Sequence, residues 1–351
     1  MSVAHNIYIH VPFCISKCNY CAFFSRACAN PDWDAYATGI IAEIDYWAEK
    51  LGKITVSTVF FGGGTPSLMP STHFTQIMKH LDTKFNVLPN AEITLESNPG
   101  TLNTTHLDEF IAGGVNRLSI GVQSLDDNEL VFLGRRHNVH DAMQLITTAM
   151  SRNIRVSADF IYGLPGHTAQ TVEKLCKNVN KVGLTHCSMY ELTIEPSTPF
   201  GKMKLQMPTN SEMADMYKAI ANTLTLPRYE VSNYAALGHE CRHNQNVWDG
   251  DAYIGLGVGA AGRVFMNNSW YEQLGGGARF EKMSIDARAT EKVITGMRTT
   301  RGVLLANDVK NVLDMEYINN NPKLITIVGD RMHATERGLM ILDDLLVNVI
   351  K

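Results

Sequence analysis

The chain has 351 residues, 45% hydrophobic and 19% charged, enough for one large domain and a smaller one around substantial cores. A net charge of −4 at pH 7 leaves no electrostatic footprint for nucleic acid, and no apolar run reaches the roughly 18 to 20 residues that span a bilayer. The amino terminus shows no basic stretch leading into an apolar one, and seven cysteines, an odd number, read as thiols or metal ligands rather than a disulfide framework; the expected address is cytoplasmic.

In chain order, short apolar and β-branched runs predict strands at 6–11, 57–62, 91–96, 116–121, 155–163 and 186–193. Helices fill the gaps. The first begins after Asn30-Pro31, with Asn30 as cap and Pro31 at the first helical position. It carries Tyr36, Ile40, Ile44, Trp47 and Leu51 on one face and stops at Gly52. A second is capped near Asn103 and presents Leu107, Phe110 and Ile111; a third presents Val172, Leu175, Cys176 and Val179. Six strands alternating with helices predict right-handed crossovers and a parallel sheet, either doubly wound or closed toward a barrel. In both, ligands bind beyond the carboxyl ends of the strands, where Cys14, "GGGTP" (62–66), "ESNPG" (96–100), "GVQS" (121–124) and "YGLPG" (162–166) fall.

Beyond this lie a helix over 211–226, a strand in "RYEVSNYA" (228–235) and the glycine-rich "YIGLGVGAAGRVF" (253–265). The last 65 or so residues read as helices, a hairpin around Gly329-Asp330 and a final helix from about Thr335, a pattern resembling a small winged-helix module. Nine basic residues balance nine acidic ones from 285 to 351, which argues against DNA as its partner. The expected division is 1–210, 211–284 as a connecting region, and 285–351.

Cys14, Cys18 and Cys21 are spaced C-x3-C-x2-C in "HVPFCISKCNYCAFF". A [4Fe–4S] cube is held by one thiolate per iron, so three cysteines on one loop leave the fourth iron open to an external ligand. The alternative from these residues alone is zinc, with His10 as a fourth ligand. Cys28 is a competing thiol, while Cys176 and Cys187 read as buried small hydrophobes.

The loop follows the first strand of a βα array, and "FFGGGTP" follows the next. Together they resemble the radical S-adenosylmethionine superfamily. Within it, "YIHVPFCISKCNYCAF", "GGGTPS", "ITLESNPG", "VNRLSIGVQS", "LGRRH", "DFIYGLPG" and "YELTIEPSTPFG" are similar to the group that holds oxygen-independent coproporphyrinogen III dehydrogenase and the HemW haem chaperones. The resemblance runs from about residue 6 to the end. It implies an α/β fold, a partial (βα)6 TIM-like barrel with a carboxyl-terminal α+β, winged-helix-like module. It also implies a [4Fe–4S] cluster on Cys14, Cys18 and Cys21, and S-adenosylmethionine in the barrel mouth. Tyr8, Tyr20, Gly64, Thr65, Glu96, Gln123, Arg135 and Asp159 match the family's cofactor contacts. For Gly64 and Thr65 the contact would run through the backbone, because glycine lets a chain approach closely.

Three residue patterns favour the chaperone over the dehydrogenase. That enzyme carries a cysteine two positions after the third ligand, where this chain has Phe23, and a long arm before the cluster loop, where this chain has 13 residues. "CRHNQNVWDGDAYIGLGVGAAG" (241–262) also resembles the HNxxYW segment that the chaperones are thought to use for haem, with His243, Asn244 and Trp248 retained and Val247 in place of Tyr. The resemblance then implies a haem-binding protein that hands haem to an acceptor haem protein, a respiratory enzyme by expectation. His243 is the candidate axial ligand, with His239 and Cys241 as alternatives. Coproporphyrinogen oxidation is the competing function, and a zinc-loop binding protein on a barrel scaffold is the third.

Overall fold

In the computed structural model, residues 5–276 and 279–351 are described. The strands, in chain order, are β1 (His5–Val11), β2 (Phe13–Cys14), β3 (Arg26–Ala27), β4 (Thr55–Gly63), β5 (Asn86–Ser97), β6 (Arg117–Gln123), β7 (Arg155–Tyr162), β8 (His186–Glu191), β9 (Asn233–Ala235), β10 (Tyr253–Leu256), β11 (Gly262–Met266), β12 (Ser269–Gln273) and β13 (Phe280–Lys282). Beyond them come β14 (Val303–Leu304), β15 (Ile325–Val328) and β16 (Arg331–Ala334). The helices are α1 (Trp33–Leu51), α2 (Ser71–Lys84), α3 (Thr104–Ala112), α4 (Asp127–Phe132), α5 (Val139–Met150), α6 (Ala169–Val182), α7 (Asn210–Thr223) and α8 (Arg242–Trp248). They are followed by α9 (Ile285–Gly296), α10 (Asn307–Val312), α11 (Met315–Asn320), α12 (Glu336–Leu339) and α13 (Leu342–Val349).

All six expected strands form, and they pair in parallel in the order β1-β4-β5-β6-β7-β8. Their sequences read as near-continuous apolar runs because helices cover one face and the barrel interior the other. Ile7, Ile9, Val59, Phe61, Leu95 and Leu118 are fully buried. The region 211–284, expected as a connector, extends the same sheet at both ends. Strand β10 adds in parallel to β1, β11 to β13 follow antiparallel, and β9 runs antiparallel on β8, for 11 strands. The barrel is therefore partial. Of the strand expected over 228–235, only β9 forms a ladder; Arg228 and Glu230 make isolated bridges.

Helix α1 buries Ala37, Ile40, Ile44 and Trp47 against the sheet, and Gly52 ends it at φ 70°. Its cap is Asp32 rather than Asn30, because the Asp32 carboxylate accepts from the Ala35 amide at 2.9 Å. Asn103 and Thr168 cap α3 and α6 in the same way. The last segment holds a separate core, with Val293, Met297, Leu313, Met332, Leu345 and Val349 fully buried. There a β15–β16 hairpin joins β14 in a three-stranded sheet. The expected final helix starts from its Thr335 cap and breaks near Met340-Ile341 into α12 and α13. The module is tied to the barrel by Arg298 on the buried Glu230 at 2.8 Å and by Arg228 on Glu336.

Candidate functional site

The loop from Pro12 to Asn30 crosses the carboxyl ends of the strands and is fastened at three places. The second βα loop holds its start: the Gly64 amide donates to Val11 O at 2.7 Å and the Thr65 amide to Phe13 O at 2.8 Å. A Cβ at Gly64 would lie 2.6 Å from the Phe13 carbonyl oxygen, so glycine is required there by the loop's own backbone. The contact expected between Gly64 and a cofactor is thus, in the first place, a contact with the cysteine loop. At its middle, Asn19 receives from Phe200 N and donates to Leu133 O and Phe132 O. At its far side, Phe24 packs against Gly259 of the glycine-rich turn, and its carbonyl accepts from His10 Nε2 at 2.7 Å.

Cys14, Cys18 and Cys21 are free thiols. The Thr65 hydroxyl is 3.6 Å from Cys14 Sγ, and Arg135 Nη1 is 3.3 Å from Cys18 Sγ. Burial pushes the Cys21 thiol up, and the charges of Cys18 and Cys14 add to this, so the three sulfurs feel one another. Tyr20 lies beside Cys18, Cys21 and Arg135 and packs with Leu133 and Phe200. A hydroxyl and a guanidinium donating to sulfurs fit a group that is held by thiolates and carries negative charge. Cys28 reaches the same loop through its amide on Cys14 O at 2.9 Å.

The zinc arrangement with His10 does not form. His10 Nε2 must donate to a carbonyl, so Nδ1 is the acceptor for the Tyr8 hydroxyl at 3.0 Å, and no lone pair is left for a metal. Among the described residues, no three His, Cys, Asp or Glu converge to hold a single metal ion. A cube asks instead for three thiols around a shared volume, one per iron.

One residue overlooked in the sequence organises this rim. The Asn98 side chain donates to Thr65 Oγ1 at 3.0 Å and accepts from Arg135 Nη2, so the two donors on the cysteine sulfurs share one anchor. Asn98 lies within the "ESNPG" motif, which marked the barrel mouth without singling out this side chain. Arg135 also donates to Gly121 O at 2.7 Å. Gln123 sits at φ 70° beside a register shift between β6 and β7, a conformation uncommon for a residue with a side chain. Cys18, Thr65, Asn98 and Arg135 line a cavity of about 240 Å³ at this rim.

A second cavity, about 310 Å³, lies inside the barrel. Tyr8, Phe60, Glu96 and Asp159 line it toward the cysteine loop, and His243, Asn244 and Trp248 line it from α8. Burial pushes the Glu96 carboxyl up to about 8, with Asp159 adding to the shift and the Gly63 amide opposing it. Burial raises Asp159 as well, against hydrogen bonds from serines; Ser119 Oγ donates to it at 3.1 Å. Glu96 therefore tends to hold its proton near neutral pH, and Asp159 is shifted in the same direction.

Helix α8 is docked into the barrel by Glu92, which accepts from the His243 amide at 2.9 Å, the Arg242 amide at 3.1 Å and Arg155 at 2.6 Å. His243 is 5% exposed, lies 5.1 Å from the Phe60 ring at a tilt of 36° and meets Thr58 Oγ1 through Nδ1 at 2.7 Å. The Thr58 proton goes to Asn6 Oδ1 at 2.8 Å, so Thr58 accepts from Nδ1–H and the lone pair of His243 rests on Nε2. Burial lowers its pKa to about 4, which keeps the ring neutral. The segment around His243, distant in the chain from the first strands, thus shares a cavity with Tyr8, Glu96 and Asp159. Cys241, the alternative in the same segment, is fully buried, with its thiol donating to Glu92 Oε1 at 3.6 Å and pushed up to about 12 by burial.

A parallel βα array with three free thiols in its first loop and a glycine-rich second loop defines a radical S-adenosylmethionine scaffold, and residues 8–179 match the radical SAM superfamily. The chain is 36% identical to heme chaperone HemW of Synechocystis sp., over 85% of this chain and 79% of that one. It is 31% identical to heme chaperone HemW of Mycobacterium tuberculosis, over 96% of this chain and 92% of that one. The chain belongs to the HemW family within the radical SAM superfamily. In fold it is similar to the coproporphyrinogen III oxidase HemN of Escherichia coli, with a TM-score of 0.81 at 21% identity over 99% of this chain and 90% of that one.

Proposed function

We propose that this protein binds haem, a [4Fe–4S] cluster and S-adenosylmethionine, and passes haem to an acceptor haem protein. The observation that carries this reading is family membership across nearly the whole chain, joined to a neutral imidazole whose Nε2 lone pair belongs to a ring lining the barrel cavity. A neutral histidine nitrogen is a common axial ligand for haem iron. Cys14, Cys18 and Cys21 would hold the cluster. Tyr8, Tyr20, Thr65, Glu96, Gln123, Arg135 and Asp159 would surround the cofactor, with Gly64 serving mainly to seat the cysteine loop. A cluster held by Cys14, Cys18 and Cys21 would supply one-electron reducing chemistry toward the cofactor's sulfonium. The protein's own part is to hold Cys18 by Arg135 and Cys14 by Thr65, and to keep Glu96 and Asp159 out of water.

No helix among the described residues is long and apolar enough to cross a membrane. We place the protein in the cytoplasm and its acceptor among respiratory haem enzymes. Coproporphyrinogen oxidation is disfavoured by Phe23, which stands 70% exposed where the dehydrogenase has a further cysteine. The test is haem titration beside a coproporphyrinogen turnover assay on protein reconstituted without oxygen. Haem binding with negligible turnover is expected; robust turnover without haem binding would overturn the reading.

A further inference from the structure

The barrel cavity contains a charge that neither the cofactor contacts nor the haem segment uses. Arg117, on β6, is 3% exposed and lines the cavity, yet among the described residues no oxygen accepts a hydrogen bond from its guanidinium. Its acidic neighbours are already engaged. Glu92 is occupied by Arg155 and by the amides of Arg242 and His243. Asp159 takes the hydroxyls of Ser119 at 3.1 Å and Ser157 at 3.4 Å. A guanidinium taken out of water without hydrogen-bond partners is costly, and a cavity beside it gives room for a partner from outside the chain.

The charge balance selects the kind of partner. Burial raises Glu92, but Arg117, Arg155 and two amides outweigh it and hold the carboxyl below its usual range, so one anion faces two guanidiniums. Burial pushes Glu96 up to about 8, so it adds little negative charge, and it shifts Asp159 in the same direction. Arg155 holds Glu92 at 2.6 Å, which leaves Arg117 as a guanidinium on the cavity wall with no carboxylate in hydrogen-bond contact among the described residues. A planar fork of donors matches a carboxylate.

We propose that Arg117 is a carboxylate-binding residue, forming a forked ion pair with a carboxylate of the molecule that fills the barrel cavity. The carboxylate has two sources, a haem propionate or the methionine end of S-adenosylmethionine. The first rests on the haem reading above and is favoured by the cavity itself, which places Arg117 and His243 on one wall system. A second guanidinium, Arg135, already stands beside the cysteine loop for the other.

The experiment uses cluster-reconstituted full-length protein and two ligand pairs: haem against haem dimethyl ester by absorbance titration, and S-adenosylmethionine against its decarboxylated form by calorimetry. In the wild-type protein, one pair should show a preference of about ten- to a hundredfold for the carboxylate-bearing member. Arg117→Gln should abolish that preference without weakening the carboxylate-free member. Arg117→Lys, which keeps a cation in the barrel should the glutamine variant fail to fold, should lose most of it because ammonium cannot present the fork. Preference in the haem pair identifies a propionate; preference in the other pair alone identifies the methionine carboxylate. If haem fails to bind while the second pair discriminates, the haem reading falls and the role of Arg117 stands. No preference in either wild-type pair, or an undiminished one in the folded variants, overturns the proposal.

Discussion

Thr58 Oγ1 lies 2.7 Å from Nδ1 of His243, a residue 185 positions further along the chain. Because the threonine proton is committed to Asn6, this contact decides which imidazole nitrogen carries the lone pair. Thr58→Val should remove the acceptor while keeping shape. With His243 as axial ligand, the variant should bind haem more weakly and with a shifted Soret band, and His243→Ala should do so more strongly. Iron and sulfide content should remain unchanged in both. An unaltered haem spectrum in both variants would remove His243 from the haem site.

The same burial makes His243 a source of acid sensitivity. Its folded pKa, about 4, lies below the ordinary 6.5, so the unfolded chain takes up the proton first. Its contribution is therefore full above pH 6.5 and is lost as pH falls from 6.5 to 4, an effect of up to about 3 kcal/mol. Urea unfolding at pH 7 and pH 4.5 should show a smaller acid-side loss for His243→Gln than for the wild type.

Replacing Cys14, Cys18 or Cys21 with Ala should abolish the broad brown absorbance and the cluster iron, since each removes one iron's thiolate. Cys28→Ala should retain both, although its amide sits on Cys14 O. Loss of the cluster in Cys28→Ala would reassign the ligands.

Glu96→Ala and Asp159→Ala should each weaken S-adenosylmethionine binding about ten- to a hundredfold, the worth of a charge-assisted hydrogen bond, and leave iron content unchanged. Calorimetry on reconstituted protein reads this directly. Equal affinity in both variants would give these carboxylates a structural role only.

Gly64→Ala should destabilise the protein by about 1–3 kcal/mol and impair cluster loading, because the new Cβ meets the Phe13 carbonyl at 2.6 Å. Gly39→Ala, with open space around it on the exposed face of α1, should instead stabilise by roughly 0.5–1 kcal/mol. Thermal unfolding of the two variants, with iron analysis, separates a steric requirement from a general intolerance of alanine.

The sequence by itself determined the parts whose signals are local. Cysteine spacing, the glycine-rich second loop, the cap at Asn103 and the apolar runs of six strands each depend on residues a few positions apart. These suffice to specify a parallel βα array with a thiol loop at its carboxyl end. Tertiary structure alone decided which strand neighbours β1, because β10 is only four residues long and its residues pair with β1 residues 247 positions earlier in the chain. It also decided that α8 enters the barrel, since its dock is Glu92, a carboxylate whose partners Arg155, Arg242 and His243 meet only when three distant segments converge. Asn98 and Arg117 stayed silent in the sequence for the same reason: an asparagine in a turn or an arginine on a strand acquires its role from what surrounds it. Desolvation and non-local register, not local pattern, make one the anchor of the rim and leave the other's guanidinium facing the cavity without a hydrogen-bonded acceptor among the described residues.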